Sequence, residues 1–152
     1  MTIHLNSGSP EQTFRYGRAL GSTLKGKELI FLSGDLGAGK TVFTKGIGNA
    51  LGINEREIVS PSYTLMNVYK GAFALYHIDL YRIGDGIKGG IPEIDDHIDR
   101  GVIVVEWADY ITGFYSSEKN LIRISIRHDR EPESGRSITI DTPPAFPPGI
   151  FS

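Results

Sequence analysis

Short apolar runs along the chain predict the strands of a sheet. Residues 28–33 and 102–106 are dominated by apolar side chains, and such continuous runs are typical of strands buried in a parallel sheet. Residues 121–127 instead alternate apolar and polar side chains with the period of two of a half-buried strand. The remaining predicted strands are the two arms of a hairpin, 65–69 and 73–78, and a short last strand, 137–141.

Two segments have the spacing of helices. The first begins at a capping box formed by Ser9 and Gln12, and we expect it to run to about Leu24. The second covers residues 41–51 and stops before Gly52, a residue type that commonly ends helices. The alternation of such helices with strands predicts an α/β fold.

Two other segments lack a clear pattern. Residues 84–101 are rich in glycine and acidic residues, with a short helix predicted from Pro92. Residues 142–152 carry four prolines and cannot continue a strand ladder or a helix, so we expect an irregular tail. The predicted organisation is a single domain over residues 1–141 followed by that tail.

Composition narrows the classes of function. With 152 residues and a formal net charge of −2, the chain has the size of one domain and no global basic field for stand-alone nucleic-acid binding. The absence of cysteine excludes disulfides, thiolate zinc sites and cysteine nucleophiles. The first residues have no signal-peptide pattern, and the longest aliphatic run, 102–105, is too short to cross a membrane. We expect a soluble, cytoplasmic protein.

The octapeptide GDLGAGKT at residues 34–41 fits the phosphate-binding P-loop, G-x-x-x-x-G-K-[ST]. Its glycines let backbone N–H groups close around phosphate oxygens, Lys40 neutralises the β- and γ-phosphates, and the Thr41 hydroxyl reaches the metal. The motif lies between a predicted strand and a predicted helix, as this function requires. The sequence therefore predicts a P-loop NTPase-like mixed sheet, parallel around the P-loop with an antiparallel hairpin and flanked by helices, that binds a nucleoside triphosphate with Mg²⁺.

Two carboxylates are candidates for the metal side of this site. Asp79 and Glu106 each end an apolar strand, and the carboxyl ends of parallel strands form the edge where open α/β sheets bind ligands. The sequence leaves open which of the two is the main metal-shell carboxylate. A second group of acidic residues has the spacing of the solvated face of a short helix and is not predicted to bind metal: Glu93, Asp95, Asp96 and Asp99.

Other residues are weaker candidates. The hydroxyl-rich residues 60–64 could form a nucleotide-sensing switch or a plain proline turn. His77, within a strand, is more typical of a packed histidine than of a base, and Trp107 is either a core residue or a contact for a partner. The arginines that could supply a phosphate-facing side chain are Arg123, Arg127, Arg130 and Arg136.

Four motifs, taken together, resemble the TsaE (YjeE) family of P-loop ATPases. They are residues 32–41 (LSGDLGAGKT), 60–65 (SPSYTL), 77–82 (HIDLYR) and 105–107 (VEW), in the order and at the spacings of that family. The resemblance covers residues 9–135. It implies a weak, partner-stimulated ATPase with ATP and Mg²⁺, needed for threonylcarbamoyladenosine modification of tRNA.

In that family the protein acts on a complex of the threonylcarbamoyl transferase subunit (TsaD-like) and its paralogous partner (TsaB-like), and does not itself transfer the group. The resemblance implies tRNA contact only indirectly or at the complex, and assigns Mg²⁺ to Thr41 and Glu106. The catalytic residues that it implies are Lys40, Asp79 and Glu106. The nucleotide-binding residues that it implies are Thr13, Gly34, Asp35, Leu36, Gly37, Ala38, Gly39, Lys40, Thr41, Val42, Ser62, Thr64 and Arg136.

The chain departs from the family pattern in three places. Ser62 stands where threonine is usual, which keeps the hydroxyl, and Ala108 stands where proline is usual. Residues 84–101 diverge most, so a partner surface in that segment would differ. Two other functions stay open: a small P-loop kinase for a small molecule or nucleoside, and a nucleotide-binding scaffold without hydrolysis.

Overall fold

The computed structural model describes residues 1–129 and 135–152. Its strands are β1 (Thr2–Ser7), β2 (Leu29–Ser33), β3 (Met66–Tyr69), β4 (Leu75–Asp79), β5 (Val102–Glu106), β6 (Leu121–His128) and β7 (Arg136–Asp141). Its α-helices are α1 (Pro10–Gly21), α2 (Lys40–Ala50) and α3 (Pro92–Asp95). Short 3₁₀ turns cover Glu55–Glu57, Gly84–Gly86, Ala108–Tyr110 and Thr112–Phe114.

The strands form one mixed sheet. Within the described residues it has seven strands in the order β1-β7-β6-β2-β5-β4-β3. The centre is parallel, because β2 pairs in parallel with both β5 and β6, and β5 pairs in parallel with β4. Both sides are antiparallel: β3 and β4 form the predicted hairpin on one side, and β7 pairs with β6 and β1 on the other. The predicted fold class is confirmed.

Each face of the central strands is buried. Ile30 and Leu32 of β2 pack toward α1 and α2, whereas Leu29 and Phe31 pack against α3 and the 3₁₀ turns on the opposite face. This explains why β2 has a continuous apolar run, since a strand covered on both sides needs apolar residues at every position. The same reasoning applies to β5, whose five residues are all buried.

The two long helices touch closely because glycines stand at their contact. A Cβ atom on Gly17 of α1 would lie 2.2 Å from the Phe43 carbonyl oxygen, and one on Gly46 of α2 would lie 2.2 Å from the Phe14 carbonyl oxygen. Neither position can accept a larger residue without separating the helices. This close packing brings the first turns of α1 against the loop that precedes α2.

Several boundaries differ from the sequence prediction. Helix α1 ends at Gly21 rather than near Leu24, because the Ser22 and Thr23 hydroxyls donate hydrogen bonds to the carbonyls of Ala19 and Leu20 at 2.7 Å each. No strand was predicted for residues 2–7, which form β1. Strand β1 is an edge strand whose alternating burial depends on pairing with β7 at the far end of the chain.

The divergent segment 84–101 is held in place by a tyrosine outside it, Tyr115. The Tyr115 hydroxyl accepts a hydrogen bond from the Ile91 N–H and donates one to Asp95, both at 2.8 Å. Burial is the main cause that raises the pKa of the Tyr115 hydroxyl to about 12, so the phenol stays a proton donor at neutral pH. With Ile94 fully buried beneath it, this contact holds α3 against the sheet.

The tail is irregular, as predicted, but it packs on the body of the molecule. The Thr142 N–H donates to the Met1 carbonyl at 2.9 Å, and the Phe151 ring meets the Tyr16 ring edge-on with centroids 6.0 Å apart. Phe146 and Ile150 also lie against the core. In the part of the chain that the structure describes, none of the helices is both long and apolar enough to span a bilayer.

Candidate functional site

The loop between β2 and α2 has the conformation that a P-loop needs. Gly34 has a φ of 148°, and a Cβ atom there would lie 2.2 Å from the Ile126 carbonyl oxygen. Gly39, the N-cap of α2, has a left-handed conformation with a φ of 111°. Side chains are strongly disfavoured at both positions, which explains why glycine stands first and sixth in the motif. The helix thereby directs its free N–H groups into the loop.

Lys40 is held inside this loop. Its ammonium group donates hydrogen bonds to the carbonyls of Gly34 at 2.5 Å and Asp35 at 2.9 Å, and it lies 4.2 Å from the centroid of the Trp107 ring. Burial lowers the pKa of Lys40 below its ordinary value, and the carboxylates of Glu106 and Asp79 oppose that shift. The result is a buried cation placed where the motif expects phosphate oxygens.

Glu106 lies next to Thr41, the last residue of the P-loop motif. The Thr41 hydroxyl is 3.3 Å and 3.4 Å from the two Glu106 carboxylate oxygens. On the other side, His77 Nε2 is 2.5 Å from Glu106 Oε2, and the histidine is fully buried. His77 is therefore a packed histidine, as its sequence context indicated, but its ring also contacts a candidate site residue.

Asp79 is level with Glu106 in the register of β4 and β5 but has other partners. The Ser60 hydroxyl donates to Asp79 Oδ2 at 2.5 Å, and the Tyr81 N–H donates to Asp79 Oδ1 at 2.8 Å. Within residues 60–64, Ser60 and Ser62 face the site, whereas the exposed Thr64 is 3.2 Å from Asn67. The segment thus contacts the site through its first half.

These side chains share one cleft of about 370 Å³ at the carboxyl edge of the sheet. Its lining includes Leu36, Gly37, Gly39, Lys40, Thr41, Val42, Ser60, Ser62, Asp79, Tyr81, Glu106 and Trp107. Most of the residues predicted from sequence are therefore brought together. Sequence reasoning did not single out Tyr81, whose ring packs against the Trp107 ring with centroids 4.9 Å apart. Its position in the run from His77 to Arg82 was the available signal.

Two other predicted residues contact the P-loop but do not line the cleft. Thr13 is buried, its hydroxyl is 2.7 Å from the Ser7 hydroxyl, and its methyl group lies beside Gly39. The Arg136 guanidinium donates to the carbonyls of Ala38 at 3.1 Å and Gly37 at 3.4 Å. Both residues support the backbone of the P-loop in this structure.

The remaining arginines and acidic residues lie elsewhere. Arg123 and Arg127 are exposed on β6 and line a different depression, and Arg130 lies outside the described residues. Asp95, Asp96 and Asp99 are exposed, in agreement with the solvated face predicted for them, whereas Glu93, predicted with them, is partly buried.

Comparisons with known proteins identify relatives over most of the chain. Residues 7–138 match the family model described as "Threonylcarbamoyl adenosine biosynthesis protein TsaE". A protein of Treponema pallidum named "tRNA threonylcarbamoyladenosine biosynthesis protein TsaE" is 38% identical over 114 residues, which are 69% of this chain and 78% of that protein. A protein of the same name from Bacillus subtilis is 38% identical over 127 residues, with coverage of 82% and 78%.

A solved structure has the same fold. The crystal structure of Bacillus subtilis YdiB superposes with a TM-score of 0.73 and 28% sequence identity, and the match covers 93% of this chain and 86% of that one. The sequence and structure comparisons therefore agree over nearly the whole chain.

Proposed function

The chain belongs to the TsaE family of threonylcarbamoyl adenosine biosynthesis proteins, and on that basis we propose that it is a Mg²⁺-dependent ATPase required for threonylcarbamoyladenosine modification of tRNA. The observation that carries this proposal is the convergence of Lys40, Thr41, Asp79 and Glu106 on one cleft at the P-loop. We place the activity in the cytoplasm, with hydrolysis that is weak in the isolated protein.

The loop supports binding of a triphosphate. Backbone N–H groups at the start of α2 and the Lys40 ammonium face the space that phosphates would occupy. Lys40 now donates to two loop carbonyls, which a bound phosphate would replace as stronger acceptors. Thr13 and Arg136 act in this proposal by supporting the loop beside the nucleotide.

The donor set fits Mg²⁺. A hydroxyl and a carboxylate, Thr41 and Glu106, lie side by side, and Mg²⁺ prefers oxygen ligands. Across residues 1–129 and 135–152 there is no group of three or more His, Cys, Asp or Glu side chains that could hold a metal ion. That fits a metal bound by few protein groups together with substrate phosphates and water. The metal would neutralise charge on the phosphates. Glu106 would orient the ligands around the metal, and Asp79 would assist in positioning the metal or the attacking water.

The output of the site is proposed to be a change of conformation that partners detect. Those partners are the threonylcarbamoyl transferase subunit (TsaD-like) and its paralogous partner (TsaB-like), with tRNA contacted indirectly or at the complex. Ser60 connects the 60–64 segment to Asp79 in the site, while Tyr63 in the same segment is 88% exposed. A change at Asp79 would therefore reach the surface through the four residues 60–63.

A kinase reading has less support. Small P-loop kinases close an arginine-rich lid over the γ-phosphate, and Arg123 and Arg127 lie on β6 away from the cleft. Production of a phosphorylated small molecule with ATP would restore that reading.

Lys40→Ala tests the proposal directly. We expect a strain carrying it to lose threonylcarbamoyladenosine from its tRNA, measured by mass spectrometry of digested nucleosides, because triphosphate binding is lost. Lys45→Ala, five residues further along α2 and outside the cleft lining, is the matched control and should keep the modification. Normal modification with Lys40→Ala would contradict the proposal. Pull-down with ATP should also recover the two partners.

A further inference from the structure

Glu106 in the cleft contacts a buried histidine, His77, to which the proposed chemistry gives no role. In β4 and β5 the residues that face α2 change from apolar at the base to polar at the carboxyl edge. Leu75, Val102 and Val104 belong to the apolar base. In the register of the two strands His77 lies level with Val104 and one level below Glu106, with no exposed surface, and its ring contacts the Glu106 carboxylate.

The ring of His77 has one polar contact. Its Nε2 is 2.5 Å from Glu106 Oε2, and among residues 1–129 and 135–152 its Nδ1 has no hydrogen-bond partner. A carboxylate can only accept, so the proton in this contact belongs to Nε2 when Glu106 is ionised. An apolar residue would fill the same core position without an unpaired nitrogen. The polar character of His77 is thus directed at Glu106 alone within the described structure.

Glu106 needs such a donor. It is 3% exposed, and a buried carboxylate is costly unless its oxygens are hydrogen-bonded. The only other side-chain hydrogen bond to Glu106 within the described residues comes from Thr41, at 3.3 Å and 3.4 Å, which is long for an O–H···O bond. The short contact that restricts rotation of the carboxylate is therefore the one to His77.

We propose that His77 is a positioning residue that donates from Nε2 to Glu106 and so holds this carboxylate in the orientation that presents it to Thr41 and Mg²⁺. The inference rests on the proposed function, since it assumes that Glu106 serves a metal. A partner behind a metal ligand fixes the ligand's direction, and its loss weakens metal binding without touching the metal.

The test compares His77→Leu with the wild-type protein by calorimetric binding of a nonhydrolysable ATP analogue. We expect the Mg²⁺ concentration for half-maximal enhancement of binding to rise by about 10-fold in His77→Leu. Affinity for the analogue in EDTA should stay at the wild-type value, because the P-loop is unaltered. A fall in EDTA equal to that with Mg²⁺ would mean a general structural role and would overturn the proposal.

Two amide variants separate the hydrogen bond from packing. His77→Gln can bring an N–H to the place of Nε2 and should restore most of the wild-type Mg²⁺ requirement. His77→Asn is shorter by one carbon and should remain defective. The pair also serves if His77→Leu does not fold, as judged by thermal unfolding without nucleotide. Equal Mg²⁺ requirements for Gln and Asn would overturn the proposal.

The two levels of inference fail differently. If binding to the wild-type protein is independent of Mg²⁺, the proposed function is wrong at its metal step and this inference with it. If the wild-type protein depends on Mg²⁺ and His77→Leu has the same requirement, only the role of His77 is rejected.

Discussion

Asp79 and Glu106 occupy matching places in the sheet but have different surroundings. They end adjacent parallel strands and are paired in register, and both are almost fully buried. Glu106 contacts Thr41 of the P-loop helix and His77 beneath it. Asp79 contacts Ser60 and the backbone of Tyr81. Two carboxylates at the same level of the sheet therefore have different partners. Glu106 contacts the P-loop helix, and Asp79 contacts the 60–64 segment.

The residue that a strand-end carboxylate contacts therefore indicates its role better than its position in the sheet does. In the proposed function, Glu106 serves the metal together with the P-loop threonine. Asp79 in the same proposal relays a change in the site to residues 60–64. Replacing each carboxylate with its neutral amide tests whether the two residues have different roles.

Glu106→Gln should have the largest effect. We expect ATP hydrolysis, measured as phosphate release with the partner complex present, to fall on the order of 100-fold, because the carboxylate that serves the metal loses its charge. Glu57→Gln, an exposed control, should hydrolyse normally. Hydrolysis at the wild-type rate within error would show that Glu106 does not serve the metal, and the proposed difference between Glu106 and Asp79 would be wrong.

Asp79→Asn should have a smaller effect on hydrolysis, about 10-fold, with little change in the Mg²⁺ requirement. Its larger consequence is expected in residues 60–64, because an amide accepts more weakly from the Ser60 hydroxyl. Hydrogen exchange of this segment should become faster in Asp79→Asn and in Ser60→Ala, and unchanged in Glu106→Gln. Faster exchange in Glu106→Gln alone would reverse the assignment of the two roles.

The smallest expected effect concerns pH. Lys40 must be protonated to bind phosphate, so metal-free nucleotide affinity falls as pH rises through its pKa, which burial lowers. Both carboxylates raise this pKa, Glu106 more than Asp79. Removing a carboxylate therefore lowers it, and the alkaline loss of affinity should begin at lower pH in Asp79→Asn and lower still in Glu106→Gln. Titration of ADP binding in EDTA would measure this order, and the opposite order would contradict it.

Much of the fold was predictable from local pattern. The predicted strand at 102–106 matches β5 residue for residue, and the hairpin and the P-loop helix lie within a few residues of their predicted bounds. These elements have strong signals because strands buried on both faces need apolar residues throughout. The edge strand β1 was missed although its residues alternate polar and apolar, because the run is short and its pairing partner, β7, is distant in sequence.

The sequence predicted which residues form the candidate site better than it predicted the contacts between them. Sequence placed Lys40, Thr41, Asp79 and Glu106 near one edge, because a motif and two strand ends define that edge. It did not assign the neighbours of either carboxylate. The contact of His77 with Glu106 depends on the register of β4 against β5, which a local pattern does not specify.

The fold class, the phosphate-binding loop and the family resemblance followed from the sequence alone, since each depends on short runs of residue types whose periodicity or spacing is local. Tertiary packing was needed to show that Glu106 contacts Thr41 and His77 while Asp79 contacts Ser60. It was also needed to show that Thr13 and Arg136 support the P-loop backbone. The physical reason is that hydrogen bonds between side chains far apart in sequence depend on distances of a few ångströms, which strand register and helix packing set together.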